Sequence, residues 1–159
     1  MIIGNRETIC FEISNFTDGL LNINFYLGNK LISNEPVCTP TYSFKKTLEQ
    51  LRNGGFRNEL LNGLTTEELV KKIEAERDSN ESHFFKHLLQ LDETIDQYSI
   101  YVLETNGTTH FRWYCWDEHN CNSEHELNEI YSTELPTSEL TATLELLTSE
   151  LKKQLANKV

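Results

Sequence analysis

The sequence predicts an α+β domain in which helices cover a predominantly antiparallel sheet of about six strands. Three observations predict this class: alternating apolar and polar residues near the start, an Asn-Gly pair between two β-rich runs, and a stripe of leucines at helical spacing near the end. The 159 residues are the length of one domain. We therefore expect a single domain over residues 1–159.

The first half of the chain predicts a meander of three strands. Apolar and polar residues alternate over 9–14 and again over 21–27, which is the period of a strand with one buried face. Turn-forming residues at 17–19 and 28–29 separate these segments and lead into a short third strand at 31–32. Strands joined by tight turns are expected to pair antiparallel with their chain neighbours.

Two helices are expected after the meander. Ser43 precedes apolar residues at helical spacing, and a Gly-Gly pair at 54–55 ends that pattern. Thr65 and Glu68 have the spacing of a capping box and predict the start of the second helix. The apolar residues of 84–91 suit either a short helix or a strand, and both assignments stay open.

The strongest local signal is a hairpin around Asn106 and Gly107. This pair lies between the β-rich runs 98–104 and 109–116, and both residues accept the positive φ of a type I′ turn. Both runs are apolar on both sides. We therefore expect the hairpin to lie centrally in the sheet, covered by helices.

A further strand and a long amphipathic helix are expected to complete the fold. The strand covers 129–135 and ends at Pro136, and Thr137 is placed to cap the helix. The apolar face of the helix consists of Leu140, Leu144, Leu147, Leu151 and Leu155. This spacing drifts from a heptad, which favours a face packed on the sheet over a coiled-coil seam.

Charge divides the chain unevenly. The net charge is −11, and residues 92–150 contain 13 carboxylates but a single Lys or Arg, Arg112. A field of this sign disfavours nucleic acid and anionic membranes as partners and attracts basic proteins. The chain also lacks a secretory signal after Met1 and any apolar run of roughly 20 residues. We therefore expect a soluble, cytoplasmic protein.

The cysteines are expected to be unpaired thiols. Cys10, Cys38, Cys115 and Cys121 make an even number, which in a secreted chain would favour disulfides. Because no export signal is present, the reducing cytosol would keep them reduced. A buried free cysteine then behaves as a small apolar residue.

A Cys/His cluster is the one constellation with catalytic or metal-binding residue types. Cys115, His119, Cys121 and His125 can each bind zinc, but their spacing lacks the separated ligand pairs of structural zinc sites. A cysteine nucleophile with His110, His119 or His125 as its base has no supporting signature. We expect surface histidines and no metal, cofactor or catalytic residue.

Three features resemble a family of small bacterial immunity proteins, which protect cells against polymorphic toxins or contact-dependent growth inhibition toxins. They are the opening Met-Ile-Ile-Gly-Asn, the Phe-Arg-Trp strand at 111–113, and the Leu-Pro junction at 135–136 that leads into the last helix. The order of elements is similar to that family from end to end. The resemblance implies that the protein neutralises a toxin by binding it, without catalytic residues.

The favoured function is therefore binding of a cognate toxin domain. A basic toxin, possibly a nuclease, is expected, since carboxylates of an inhibitor occupy positions where phosphates would lie. The expected partner-binding residues are acidic side chains and one aromatic: Asp92, Glu93, Asp96, Trp116, Asp117, Glu118 and Glu124. A cytosolic acidic adaptor or chaperone-like module is the alternative, and a Cys/His hydrolase or metalloenzyme is less favoured. The sequence leaves the oligomeric state open.

Overall fold

The strands form two antiparallel sheets in the computed structural model of the protein. It describes residues 1–17, 20–33, 37–39, 42–53, 64–65, 67–68, 71–72, 75, 87–89 and 95–156. The first sheet contains β1 (Ile2–Gly4), β2 (Ile9–Thr17), β3 (Leu20–Leu27), β4 (Lys30–Leu31) and β5 (Val37–Thr39). The second contains β6 (Tyr98–Thr105), β7 (Thr108–Cys115) and β8 (Tyr131–Pro136). The expected single sheet of about six strands is therefore wrong, although the antiparallel α+β class is confirmed.

The first sheet has the predicted meander at its centre. Its strand order is β1-β2-β3-β4, and β5, which the sequence analysis missed, pairs with β3. Phe11 lies opposite Phe25, and the two buried rings stack with centroids 5.1 Å apart. The alternation that predicted β2 and β3 therefore places one face of each strand in the core.

The second sheet is built around the predicted hairpin. Asn106 and Gly107 have φ values of 50° and 77°, and Thr105 pairs with Thr108 across the turn. β7 is the central strand, but its side chains alternate between buried and half-buried, whereas most of β6 is buried. The expectation that both hairpin strands are covered on both faces is thus correct only for β6.

A short segment extends the pairing of β6 on its other side. Leu88 forms an antiparallel bridge with Tyr101, and the backbone N–H of Leu89 donates to the carbonyl of Ile100 at 2.8 Å. Of the two open assignments for 84–91, His87 is helical, whereas Leu88 and Leu89 make strand-like pairing. The rest of 84–91, apart from His87, lies outside the described residues.

The helices with both ends among the described residues are α1 (Tyr42–Arg52) and α2 (Thr137–Ala156). The long helix α2 contacts α1, β1 and β2 and also β7 and β8, so it packs against strands of both sheets. Its predicted stripe is confirmed by the buried side chains of Leu140, Leu144, Leu147 and Leu151, while the side chain of Leu155 lies outside the described set. These leucines belong to one buried cluster that draws on both sheets and both helices.

The predicted capping box is present ahead of the residues that adopt helical conformation at 67–68. The Glu68 carboxylate accepts the backbone N–H of Thr65 at 2.7 Å, and the Thr65 hydroxyl accepts the N–H of Glu68 at 3.4 Å. None of the helices in the described residues has the length and apolar character needed to cross a membrane.

The β3–β4 turn brings the two sheets into contact. Gly28 has a φ of 53°, and a Cβ at this position would lie 3.0 Å from Cη2 of Trp113 on β7 and 3.4 Å from Cβ of Thr133 on β8. The Thr133 hydroxyl also donates to the carbonyl of Glu7 at 3.2 Å. Glycine is required here both for the positive φ and for the close approach of the turn to Trp113.

Candidate partner-binding surface

The connection between β7 and β8, residues 116–130, combines acidic and exposed apolar side chains. This acidic loop contains no Lys or Arg and five carboxylates: Asp117, Glu118, Glu124, Glu126 and Glu129. It also contains three of the six large apolar side chains that the described residues expose, Trp116 (52%), Leu127 (44%) and Ile130 (50%). Apolar side chains clustered among polar ones are typical of protein–protein interaction surfaces.

A disulfide between Cys115 and Cys121 closes the first part of the acidic loop. The Asp117 carboxylate accepts the backbone N–H of His119 at 3.0 Å and the side-chain amide of Asn120 at 2.6 Å. These bonds make a tight turn, which brings the Cα of Cys121 to 5.8 Å from that of Cys115.

The prediction of four unpaired thiols is therefore wrong for this pair of cysteines. The expected reducing compartment was the basis of that prediction. The local turn, which brings the two cysteines close enough to bond, was not taken into account. Cys10 is buried and unpaired as expected, and the side chain of Cys38 lies outside the described set.

His125 anchors the second part of the loop in the core. Only 8% of the residue is exposed, so the expectation of a surface histidine is wrong at this position. Trp113 Nε1–H donates to His125 Nε2 at 3.0 Å, so Nε2 is unprotonated and the ring proton resides on Nδ1. That nitrogen lies 3.2 Å from the Tyr98 hydroxyl, whose oxygen also accepts the backbone N–H of Asn122 at 3.0 Å.

The neutral ring of His125 follows from this environment. Burial, together with a smaller effect of the nearby Lys30 ammonium, lowers the pKa of His125 from 6.5 to about 4. A proton on Nε2 would also face the N–H of Trp113, which leaves two donors opposed. Burial and the hydrogen bond from Trp113 therefore both favour the uncharged ring of His125.

Aromatic contacts fasten the end of the loop. The Tyr131 ring stacks on Trp113 with centroids 6.0 Å apart and meets the edge of His125 at 5.0 Å. The Tyr131 hydroxyl accepts the backbone N–H of Glu126 at 2.9 Å and donates to the Glu129 carboxylate at 2.6 Å. The loop is thus held at both ends and in its middle, so its exposed side chains are presented on a fixed backbone.

Glu124 attaches the acidic loop to the first sheet. Its carboxylate accepts the backbone N–H of Leu31 at 2.9 Å, and its carbonyl accepts the Lys30 ammonium at 2.6 Å. The Lys30 ammonium also lies 4.7 Å from the centre of the Tyr131 ring. Glu124, which was predicted to contact a partner, is exposed, and its carboxylate also has this internal role.

Asp117 also has an internal role, as the acceptor that shapes the turn. The hydrogen bonds from Asn120 and from the backbone of His119 lower the pKa of its carboxyl. Glu118, in contrast, is exposed beside it. Among the two predicted carboxylates at the start of the loop, Glu118 is the better placed to meet a partner.

Asp96 and Trp116 lie together at the open end of the hairpin, opposite the Asn-Gly turn. Both are exposed, both line one cavity, and the backbone N–H of Trp116 donates to the carbonyl of Gln97 at 3.0 Å. The remaining predicted partner residues, Asp92 and Glu93, lie outside the described residues.

Sequence reasoning missed four exposed loop residues that belong to this surface: Glu126, Leu127, Glu129 and Ile130. The signal that would have indicated them is a pair of isolated large apolar residues in an otherwise polar connection. Segment 129–135 was instead predicted as a strand, which the structure begins only at Tyr131.

The Cys/His cluster does not assemble into a site. Cys115 and Cys121 are bonded to each other, and both ring nitrogens of His125 have hydrogen-bond partners. Within the described part of the chain, no three His, Cys, Asp or Glu side chains are arranged to hold a metal ion. A cysteine nucleophile from this pair would first require reduction of the disulfide.

The fold is similar to that of a solved immunity protein. The crystal structure of CdiI from Burkholderia dolosa AUO158 has a TM-score of 0.61 and 16% identity, covering 94% of this chain and 99% of that chain. CdiI is a contact-dependent inhibition immunity protein, the class that the sequence resembles. No protein-family profile matches the sequence, and no curated protein matches it significantly. At this identity the likeness shows a shared fold.

Proposed function

We propose that the protein is an immunity protein that binds a cognate toxin domain and thereby neutralises it. The observation that carries the proposal is the shared fold with CdiI over 94% of this chain and 99% of that chain. The opening residues 1–5 and the Phe-Arg-Trp strand, which carried the sequence resemblance, point independently to the same class. The action is stoichiometric binding in the cytoplasm and requires no catalytic residue.

The toxin-binding surface in this proposal is the acidic loop together with Asp96. Trp116, Leu127 and Ile130 supply apolar contact area, and the same loop exposes the carboxylates Glu118 and Glu126. Apolar side chains at an interface contribute most of the affinity, while surrounding charges raise the association rate. A rigid loop reduces the ordering cost of binding, because its backbone is already fixed by the hydrogen bonds of His125 and Tyr131.

The charge of this surface favours a basic toxin domain. The loop has five carboxylates and no Lys or Arg, within a chain of net charge −11. A nuclease fits this description, because its substrate-binding groove must be positive to hold phosphates. Carboxylates of the immunity protein would then occupy the groove and exclude the nucleic acid.

Co-expression tests the proposal directly. The C-terminal domain of the toxin encoded beside this gene is expressed in a susceptible host with and without the full-length protein. We expect growth to be rescued and the two proteins to co-purify at equal stoichiometry. Rescue must be specific to the cognate toxin. An unrelated toxin domain is therefore the control, and it should still arrest growth when the protein is present. Arrest of growth despite soluble immunity protein, with no complex recovered, would contradict the proposal.

A further inference from the structure

A cavity of about 290 Å³ lies beside Trp116, at the open end of the β6–β7 hairpin. Leu89 and Ile95, both buried, contribute apolar lining, and Leu88 lies next to them. Asp96 and Trp116 line the same cavity and are exposed, so the cavity combines apolar lining with a carboxylate and an indole.

The part of the cavity lining formed by Trp116 and Tyr98 is held in place. Cys115, directly before Trp116, is tied by the disulfide, and the backbone N–H of Trp116 bonds to Gln97 at 3.0 Å. Tyr98, which also lines the cavity, has its hydroxyl engaged by Asn122 and His125. This part of the lining lies at the same end of the sheet that presents the acidic loop.

We propose, on the basis of the proposed function, that this cavity receives one arginine side chain of the toxin. The arginine would place its aliphatic stem against Leu88 and its guanidinium between the Asp96 carboxylate and the Trp116 ring. Such a carboxylate accepts two parallel hydrogen bonds from a guanidinium, and an indole face attracts a planar cation. The interaction would fix the register of the toxin on the acidic loop.

Charge complementarity decides between the possible occupants. An apolar side chain would desolvate the Asp96 carboxylate without supplying a hydrogen-bond donor. An acidic side chain would meet Asp96 in a region where the neighbouring loop already has five carboxylates. A lysine would neutralise the charge, but it lacks the planar fork that matches both the carboxylate and the ring. Arginine matches the apolar lining, the Asp96 carboxylate and the Trp116 ring of the cavity.

A double-mutant cycle between the full-length protein and the toxin domain encoded beside its gene tests the proposal. Each toxin arginine is replaced by glutamine, and the Kd is measured against the parent, Asp96→Asn and Glu145→Gln. The last variant removes the same charge from the exposed face of α2 and is the matched control. Thermal melts confirm that all three proteins are equally folded.

We expect that replacing one particular toxin arginine raises the Kd about tenfold when binding is measured with the parent or with Glu145→Gln. With Asp96→Asn, the same replacement should raise the Kd by less than about twofold. The proposal is overturned if no arginine couples to Asp96, or if Asp96→Asn binds like the control. In either case, the proposed immunity function would still stand as long as the parent protein binds the toxin. Loss of all binding by the parent would instead contradict that function and the inference with it.

Discussion

The Nε1–H of Trp113 donates to Nε2 of His125 across 3.0 Å, and this bond joins the buried centre of β7 to the acidic loop. It links the core to the surface that we propose for toxin binding. Because the bond requires a neutral imidazole, the placement of the loop depends on pH. The Tyr98 hydroxyl at the other ring nitrogen completes the arrangement.

Stability should fall as the pH is lowered from about 6.5 to about 4, the window between the ordinary pKa of histidine and that of folded His125. Above this window both folded and unfolded states have a neutral ring, so the stabilisation is complete. Within this window, the His125 ring gains a proton in the unfolded chain but stays neutral in the folded chain, so protonation favours unfolding. A pKa of about 4 instead of 6.5 corresponds to at most about 3 kcal/mol.

Urea unfolding at pH 7 and at pH 4, for the parent and for His125→Gln, measures this effect. The variant should be less stable at pH 7 and should lose less stability on acidification than the parent. Equal losses for both proteins would mean that carboxylates alone determine the acid response.

Replacement by alanine should lower stability at one tryptophan and weaken toxin binding at the other. Trp113 is 1% exposed, so Trp113→Ala should cost about 3–5 kcal/mol of unfolding free energy. Trp116 is 52% exposed, so Trp116→Ala should change stability by less than about 1 kcal/mol while accelerating toxin dissociation about tenfold or more. Denaturant unfolding and dissociation kinetics measure both. A Trp116→Ala protein that releases toxin as slowly as the parent would remove this ring from the interface.

The disulfide should stabilise the oxidised protein. In the chain-entropy description, a cross-link between residues six apart contributes about 2 kcal/mol. Cys121→Ser should lose this amount, and adding reductant should destabilise the parent but not the variant. Non-reducing peptide mapping should recover Cys115 and Cys121 in one linked peptide. Full alkylation of both cysteines in the native oxidised protein would contradict the pairing.

Exposed loop carboxylates should control the rate of association. Replacing Glu118 and Glu126 by glutamine should slow toxin binding several-fold at low salt and flatten its salt dependence, with dissociation changed less. Glu139→Gln with Glu145→Gln on α2 is the control, because it removes the same charge from exposed positions of the helix. Equal association rates for the two double variants would show that only net charge matters.

Local signals predicted the hairpin, the capping box and the leucine face of α2. In each case the residues that specify the element are close in sequence: Asn106 beside Gly107, or Thr65 three residues before Glu68. Turn conformation and helix capping depend on neighbouring residues, so a single sequence is sufficient to indicate them.

Features that depend on distant residues were not predictable in this way. The contact between the two sheets depends on Gly28 meeting Trp113, and the burial of His125 depends on Tyr98 and Trp113. The same limitation applies to the candidate surface. The sequence indicated its acidic character and Trp116, but it could not show that the Glu124 carboxylate accepts a hydrogen bond from the backbone of Leu31.

The central claim is that the toxin binds at the acidic loop, and hydrogen exchange of the free and toxin-bound protein tests it most directly. Complex formation should slow exchange of backbone amides in residues 95–99 and 116–130, while the exposed face of α2 exchanges as in the free protein. Protection on α2 or the first sheet alone, with the acidic loop exchanging at its free rate in a stable complex, would contradict the claim.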